Sequence, residues 1–200
     1  MVRASLLLPR LTTYADYLAG ERTSERRHEY IDGVIVAMAG GSDEHNALSG
    51  RFARLIGNRE IGPCRYYSPD QRFWIAATRR GRYSDGSVIC GSPEHPAHDH
   101  QASTNPVIIV EVLSPSSEGD DEGDKRRDFQ SLPSLLAYVL VAQDERCVRV
   151  FERDAQGHWT GTPAVYRGDQ PFELPRLKGP ISVSEVYDGI LDSTGHSLLR

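Results

Sequence analysis

The chain has 200 residues, of which 38% are hydrophobic and 26% are charged, and this composition is typical of a globular protein rather than of a disordered or fibrous one. One compact core is expected at this length, so we predict a single domain over residues 1–200 with its core at about 11–190. The formal net charge of −5 argues against a protein that coats nucleic acid through bulk positive charge.

No feature of the sequence indicates a membrane-bound or secreted protein. The longest apolar runs, at 106–113 and 135–142, are far shorter than the roughly 20 residues of a membrane span. The first apolar stretch is too short for a signal peptide, and the three cysteines (Cys64, Cys90 and Cys147) are widely spaced. We therefore expect a cytoplasmic protein without a membrane partner, whose cysteines are free thiols rather than a disulfide framework or a zinc site.

The start of the chain predicts a short helix and a hairpin. A hydroxyl residue ahead of helically spaced apolar positions predicts a helix over 11–18, with Thr12 or Thr13 as its cap. Asp32-Gly33 between two apolar runs is the strongest short hairpin signal. It predicts two antiparallel strands in the N-terminal part of the fold.

The remaining elements predict one mixed α/β (α+β) fold with a central sheet. After Gly40-Gly41, Ser42 or Asp43 can cap a helix, and the buried face of that helix carries Leu48, Phe52, Leu55 and Ile56. Strands are predicted at 65–77, 82–90, 105–113, 136–141 and 148–153, helices at 121–132 and 183–191, and a polar surface loop at 91–104. Alternation of strands and helices favours a mixed sheet flanked by helices.

Three weaker signals leave alternatives open. Basic clusters at 25–28, 79–82 and 125–127 could line a groove, although solvated charge is the commoner fate of such clusters. The histidine-rich segment 94–100 resembles a metal cluster, but its prolines favour a solvated loop. His45, near the start of the second helix, could contact a phosphate through the helix terminus, or serve in capping or packing.

Glu111 is the acid that most needs an explanation. It lies inside the run Val107 to Leu113, which is typical of a central strand buried on both faces. A carboxylate in such surroundings costs several kcal/mol unless a cation or hydrogen-bond donors compensate for it. A metal ion is the most economical explanation, and an exposed strand end or a pair with an arginine is the alternative.

Asp85 supplies a second carboxylate. It lies in a predicted strand and precedes Glu111 by 111 − 85 = 26 residues, so two adjacent strands can present both acids at one edge of the sheet. Hard divalent cations such as Mg²⁺ take oxygen ligands and keep several waters. The two acids therefore predict a metal site for hydrolysis.

Four stretches of sequence match one family in order along most of the chain. They are residues 27–33 (RHEYIDG), 39–46 (AGGSDEHN), 106–117 (PVIIVEVLSPSS) and 125–138 (KRRDFQSLPSLLAY). In these stretches the chain resembles the Uma-type restriction endonuclease family, a bacterial branch of the PD-(D/E)XK nuclease superfamily. The resemblance implies a restriction-endonuclease-like core, a central mixed sheet flanked by helices, here with an N-terminal β-hairpin.

The resemblance also implies roles for individual residues. Asp85 and Glu111 would hold Mg²⁺ or Mn²⁺ together with the carbonyl of Val112, and Glu29 is a candidate additional acid. Lys125 would serve as the catalytic lysine from the following helix. The alternative for Lys125 is a solvated residue on a helix among acids.

Two positions depart from the superfamily pattern. Ser84 replaces the proline before the first acid, and Leu113 stands where the second motif has its lysine. The leading interpretation is a metal-dependent endonuclease that cleaves DNA, with a homodimer expected because nucleases of this class often cut duplexes as dimers. The alternatives are a catalytically inactive interaction or nucleic-acid-binding module with the same fold, and a hydrolase of another phosphate ester.

Overall fold

The structure is a computed structural model that describes residues 11–38, 40–114, 118–191 and 194–197. Residues 39 and 115–117 of the matched stretches, and the ends of the predicted domain, lie outside the described residues. The helices are α1 (Tyr14–Glu21), α2 (Asp43–Gly57), α3 (Glu118–Asp121), α4 (Asp124–Gln130) and α5 (Val183–Tyr187). The strands are β1 (His28–Ile31), β2 (Val34–Ala37), β3 (Cys64–Tyr67), β4 (Arg72–Ile75), β5 (Arg80–Tyr83), β6 (Gly86–Cys90), β7 (Ala102–Ser103), β8 (Pro106–Leu113), β9 (Ala137–Ala142), β10 (Cys147–Glu152), β11 (Ala164–Arg167), β12 (Pro171–Phe172) and β13 (Ile181–Ser182).

The centre of the fold is a mixed six-stranded sheet in the order β11-β10-β9-β8-β6-β3. Strands β8 and β9 are parallel, and the other neighbours in this sheet are antiparallel. Both central strands are buried on both faces, which explains their continuous β-branched and apolar sequences. The predicted central mixed sheet flanked by helices is therefore confirmed.

Helices and a second sheet cover the two faces of this central sheet. On one face α2 and α5 pack their apolar residues against alternate side chains of β6, β8, β9 and β10. On the other face α4 and β4 pack against the remaining side chains, with Phe129 and Phe73 in edge-to-face contact. The five-stranded second sheet has the order β2-β1-β5-β4-β7.

The N-terminal elements form as their sequences predict. Thr13 caps α1, where its hydroxyl accepts a hydrogen bond from the Asp16 amide (3.1 Å), and Ser42 caps α2 in the same way (3.2 Å to the His45 amide). Asp32 and Gly33 both have positive φ values, 51° and 85°, as the tight turn of a two-residue hairpin requires. None of the described helices is long and apolar enough to cross a membrane.

Three predicted elements are divided in the structure. The strand predicted at 65–77 is β3 and β4, which belong to different sheets. The strand predicted at 82–90 is two strands, because the chain leaves the five-stranded sheet after Tyr83 and enters the central sheet at Gly86. The helix predicted at 121–132 is α3 and α4, separated at Gly123, whose ψ of −111° is not helical. The C-terminal helix ends at Tyr187 because Asp188 is extended (ψ 119°).

Two predictions are wrong, one about the cysteines and one about the segment 91–104. Cys64 and Cys90 form a disulfide, because they lie directly opposite each other on the paired strands β3 and β6, and only Cys147 is a free thiol. The segment 91–104 is not entirely a solvated loop, since it contains β7 and the buried Asp99. Asp99 accepts hydrogen bonds from Arg72 (3.0 and 3.1 Å), which is buried as well.

Candidate functional site

A cleft of about 550 Å³ opens where the central sheet, the hairpin strand β2 and the helices α2 to α4 meet. Its lining combines acids, one lysine, one histidine and the backbone of the loop before α2. The acids are Glu29, Asp85, Glu111, Asp120 and Asp121. The position agrees with the general rule that ligands bind beyond the carboxyl ends of strands in α/β folds.

The register of two central strands brings Asp85 and Glu111 together. Gly86 of β6 pairs with Val110 of β8, so Asp85, which immediately precedes β6, lies beside Glu111. The Asp85 amide lies 3.4 Å from Glu111 Oε2, and the Val112 amide donates to Asp85 Oδ2 at 2.7 Å. The strand pairing therefore places both residues at one end of the sheet.

Each of these two carboxylates has one oxygen bound by protein donors. Within the described residues, the hydrogen bonds to the Asp85 side chain all reach Oδ2, from Val112 and from His45 Nε2 (3.1 Å). Glu111 Oε2 accepts from Lys125 Nζ at 2.9 Å, whereas Glu111 Oε1 is buried and has no hydrogen-bond partner in the described structure. The second oxygens, Asp85 Oδ1 and Glu111 Oε1, are the atoms left for a ligand.

Lys125 lies in the site rather than in solvent. It is in the first turn of α4, and its ammonium contacts both Glu111 Oε2 and Asp121 Oδ1 (3.2 Å). Asp121, which the sequence analysis did not single out, is fixed by Tyr138, whose hydroxyl donates to the Asp121 carbonyl at 2.9 Å. An acid four residues before a lysine could have suggested this pair.

Charges in the cleft shift the pKa values of these groups. Burial raises the pKa of Glu111 well above its usual value, and the neighbouring carboxylates of Asp121 and Asp85 add to this effect, against the opposing charge of Lys125. Burial opposes the charged form of Lys125, but Glu111 and Asp121 raise its pKa well above the usual value. Carboxylates outnumber cations here, so the cleft favours an additional positive charge.

Asp85 and His45 form a second pair. Burial would raise the pKa of Asp85, but the hydrogen bond from His45 and the charge of Lys125 lower it below its usual range. The same hydrogen bond raises the pKa of His45. His45 therefore does more than cap or pack the helix, since its ring contacts the first of the two acids.

Glu29 borders the cleft but is bound to an arginine. Its carboxylate accepts from Arg82 (2.7 Å) and from the Tyr83 amide (3.0 Å). Arg82 is completely buried and also contacts Asp120 (2.9 Å) and Asp128 (2.8 Å). This part of the basic cluster at 79–82 therefore neither lines a groove nor lies in solvent, because three acids surround it.

The oxygen donors fit a hard divalent cation. No group of three or more histidine, cysteine, aspartate or glutamate side chains with metal-binding geometry occurs in the described ranges. Mg²⁺, however, is usually bound by one or two carboxylates together with waters and substrate phosphate. The buried Glu111 Oε1 without a partner is the observation that a cation would explain.

Val112 can add a backbone oxygen to this set. In an antiparallel ladder the N–H and C=O of one residue face the same neighbouring strand. The Val112 amide reaches Asp85, so we expect the Val112 carbonyl to face the same side of β8. Of the residues proposed from sequence, the structure thus brings Asp85, Glu111, Val112 and Lys125 together, with Glu29 at the border.

A second concavity of similar volume lies between α2 and α5 and is lined by three arginines. Two of them bind acids on the same wall, Arg51 with Asp188 (3.2 Å) and Arg59 with Glu185 (2.8 Å). These pairs link α2 and the residues just after it to α5 and Asp188. This lining contains no lysine, and its two acids, Glu185 and Asp188, are both paired with arginines.

Comparison with known proteins gives the family. A family model named Uma2 and described as "Putative restriction endonuclease" matches residues 14–180, which include the whole cleft. The chain belongs to the Uma2 family. The resemblance seen in the sequence is therefore confirmed.

Two relatives and one solved structure match the chain over most of their own length. An uncharacterized protein of Synechocystis, slr1290, is 32% identical over 176 residues, which cover 88% of this chain and 90% of the relative. A second, sll1609, is 36% identical over 143 residues, covering 70% and 79%. A crystal structure titled as a putative nuclease of DUF820 from Anabaena variabilis has a TM-score of 0.65 at 18% identity, covering 84% of this chain and 93% of that one. At this identity the likeness supports the fold alone.

Proposed function

We propose that the chain is a divalent-metal-dependent DNA endonuclease. The observation that carries the proposal is the pair of carboxylates, Asp85 and Glu111, each with one oxygen bound by protein donors and one oxygen left for a cation. The ammonium of Lys125 beside them supports the same conclusion. Membership of the Uma2 family adds support.

Asp85 Oδ1, Glu111 Oε1 and the Val112 carbonyl would hold the cation. When bound, Mg²⁺ or Mn²⁺ supplies a Lewis acid that lowers the pKa of a coordinated water and stabilises charge on the scissile phosphate. The register of β6 and β8 places Asp85 and Glu111 side by side, and hydrogen bonds fix their carboxylates, so little reorganisation is needed on binding. Glu29 would act only through the charge balance of the cleft, because Arg82 binds its carboxylate.

Lys125 would stabilise negative charge that develops on the phosphate oxygens. Its ammonium is held by Glu111 and Asp121, and its raised pKa keeps it protonated at neutral pH. It does not stand in the second motif, where Leu113 occupies the lysine position and is buried in the core. The helix α4 instead brings a lysine to Glu111 from outside the sheet.

Supercoiled plasmid tests this proposal. With Mg²⁺ or Mn²⁺ the protein should convert it to nicked or linear DNA, and chelation should stop the reaction. Asp85→Asn and Glu111→Gln should abolish cleavage, and Lys125→Met should reduce its rate by about 100- to 1,000-fold, as the loss of one charge-stabilising donor does elsewhere. Asp169→Asn is the matched control for the acids, because its side chain is 85% exposed.

The lysine has an equally simple control. Lys125 and Lys178 are the two lysines of the chain, and Lys178 is exposed. The Lys178→Met variant should therefore cleave plasmid DNA at the wild-type rate. Cleavage that survives Asp85→Asn or Glu111→Gln would contradict the proposal.

The proposed reaction also bears on the substrate class and the oligomeric state. We propose DNA rather than RNA, and the same assay on an RNA of matched length tests this choice. Turnover of bis(p-nitrophenyl) phosphate without DNA cleavage would favour a hydrolase of another phosphate ester. A homodimer would supply two clefts, one for each strand of a duplex, and light scattering on the purified chain measures its mass.

The catalytically inactive module makes the opposite prediction. Its fold would be the same, but it would have no requirement for a cation at Asp85 and Glu111. Isothermal titration with Mn²⁺ separates the two functions, because the endonuclease must bind the ion and Glu111→Gln must weaken that binding.

A further inference from the structure

We propose that His45 is a positioning residue, which fixes the Asp85 carboxylate and thereby sets the affinity of the cleft for a divalent cation. This inference rests on the proposed function, since Asp85 must be a metal ligand for it to hold. Three observations carry it: the single bound oxygen of Asp85, the way in which His45 is itself held, and the position of Asp85 outside any strand.

Asp85 depends on side chains from neighbouring elements for its orientation. It lies between β5 and β6, where the chain passes from one sheet to the other. Its carbonyl is fixed by the hydroxyls of Ser49 (3.1 Å) and Tyr66 (3.3 Å). Its carboxylate receives the Val112 amide along β8 and the His45 ring from α2, both on Oδ2.

Two donors on one oxygen restrict how the carboxylate turns. The terminal torsion of an aspartate is broad, so one hydrogen bond leaves the other oxygen free to rotate about the first. The second donor, His45 Nε2 at 3.1 Å, fixes that rotation and directs Oδ1 away from both donors. Partners of this kind typically change metal affinity by about 10- to 100-fold when they are removed.

The ring of His45 is itself held in one place. Ser42 caps the helix through the His45 amide, and Asn46 donates to the Gly41 carbonyl at 3.1 Å. A Cβ at Gly41 would clash with His45 Nδ1, so glycine there allows the loop to pass directly over the ring. Nε2 carries the proton that Asp85 accepts, while Nδ1 is buried without a partner in the described structure.

The alternative is that His45 only links α2 to Asp85 structurally. Two substitutions of His45 by amides of different length distinguish this alternative from positioning of the carboxylate. In His45→Gln the side-chain amide can reach the place of Nε2, whereas in His45→Asn it ends near the place of Nδ1. Both variants keep the Ser42 cap. His158→Gln is the matched control, because the His158 side chain is 80% exposed.

The experiment is Mn²⁺ titration of the full chain by calorimetry, well below the midpoint of thermal unfolding of each variant. Positioning predicts that His45→Asn weakens binding by about 10- to 100-fold, and that His45→Gln and His158→Gln stay near the wild-type affinity. Pulsed EPR of the bound Mn²⁺ should show no directly coordinated imidazole nitrogen in the wild type.

The contrary outcomes are distinct. If His45→Asn lowers thermal stability but binds Mn²⁺ as the wild type does, the residue is structural and the inference is wrong. If Asn and Gln variants lose affinity equally and EPR shows a coordinated nitrogen, His45 is a ligand and not a positioning residue. If the wild type binds no Mn²⁺, the proposed function itself fails, and the inference fails with it.

Discussion

Arg82→Met should destabilise the protein more than replacement of an arginine in a surface ion pair does. Arg82 is completely buried, and its guanidinium contacts Glu29, Asp120 and Asp128 from three different elements. Removing it leaves Glu29 buried without its counter-ion, whereas Asp128 keeps a contact with Arg80 (3.2 Å). Breaking a buried pair in this way costs about 3–5 kcal/mol.

This cost is a large share of the stability of a typical domain, which is about 5–15 kcal/mol. It corresponds to a fall of roughly 6–20 °C in the unfolding midpoint for a chain of this length. Urea unfolding followed by tryptophan fluorescence measures it, since Trp74 lies in the second sheet near this cluster.

Arg27→Met is the control for Arg82→Met. Arg27 pairs with Asp70 at 3.2 Å, and both side chains are largely exposed, so its loss should leave the free energy of unfolding close to that of the wild type. If Arg82→Met costs no more than Arg27→Met, the buried ionic cluster beside the cleft is wrongly described.

Three further predictions concern a buried acid, the lysines and the cysteines. Burial would raise the pKa of Asp99, but hydrogen bonds from Arg72 and Tyr14 lower it below its usual value. The Asp99 carboxylate therefore stabilises the fold fully above the unfolded pKa of about 3.9, and this stabilisation is lost as the pH falls through the lower pKa of the folded state. Asp99→Asn should therefore lower the free energy of unfolding at pH 7, and urea unfolding at several pH values should show this difference from wild type narrowing in acid. A difference that widens in acid would contradict the lowered pKa of Asp99. Limited acetylation with peptide mass spectrometry should modify Lys178 and spare Lys125, whose ammonium is held by two acids, and equal modification of both would contradict the burial of Lys125. Protein purified without reductant should show one alkylatable thiol after denaturation, that of Cys147, and three after reduction; three thiols without reductant would remove the disulfide.

Local sequence patterns predicted the parts of the fold that local chemistry determines. The hairpin depends on the positive φ values that Asp32 and Gly33 accept, and α2 depends on the Ser42 cap and a helical apolar stripe. The apolar run of β8 predicted a central strand with Glu111 inside it. Asp85 and Glu111 could be paired from sequence because both are tied to adjacent strands.

Long-range ion pairs left no comparable pattern in the sequence. Arg82 and Glu29 are 53 positions apart, and Arg72 and Asp99 are 27 apart, so each residue by itself resembles a solvated charge. The break between β5 and β6 was missed because only Ser84 and Asp85 separate the two strands, and the change of sheet there depends on tertiary pairing. The disulfide likewise depends on the register of β3 and β6.

Diffraction from crystals soaked in Mn²⁺ tests the metal site most directly, because anomalous scattering locates the ion without any assay of activity. We predict a peak between the Asp85 and Glu111 carboxylates, in contact with Asp85 Oδ1 and Glu111 Oε1, and the loss of this peak in Glu111→Gln. No peak at these carboxylates, or a peak only at the histidines of the segment 94–100, would contradict this prediction.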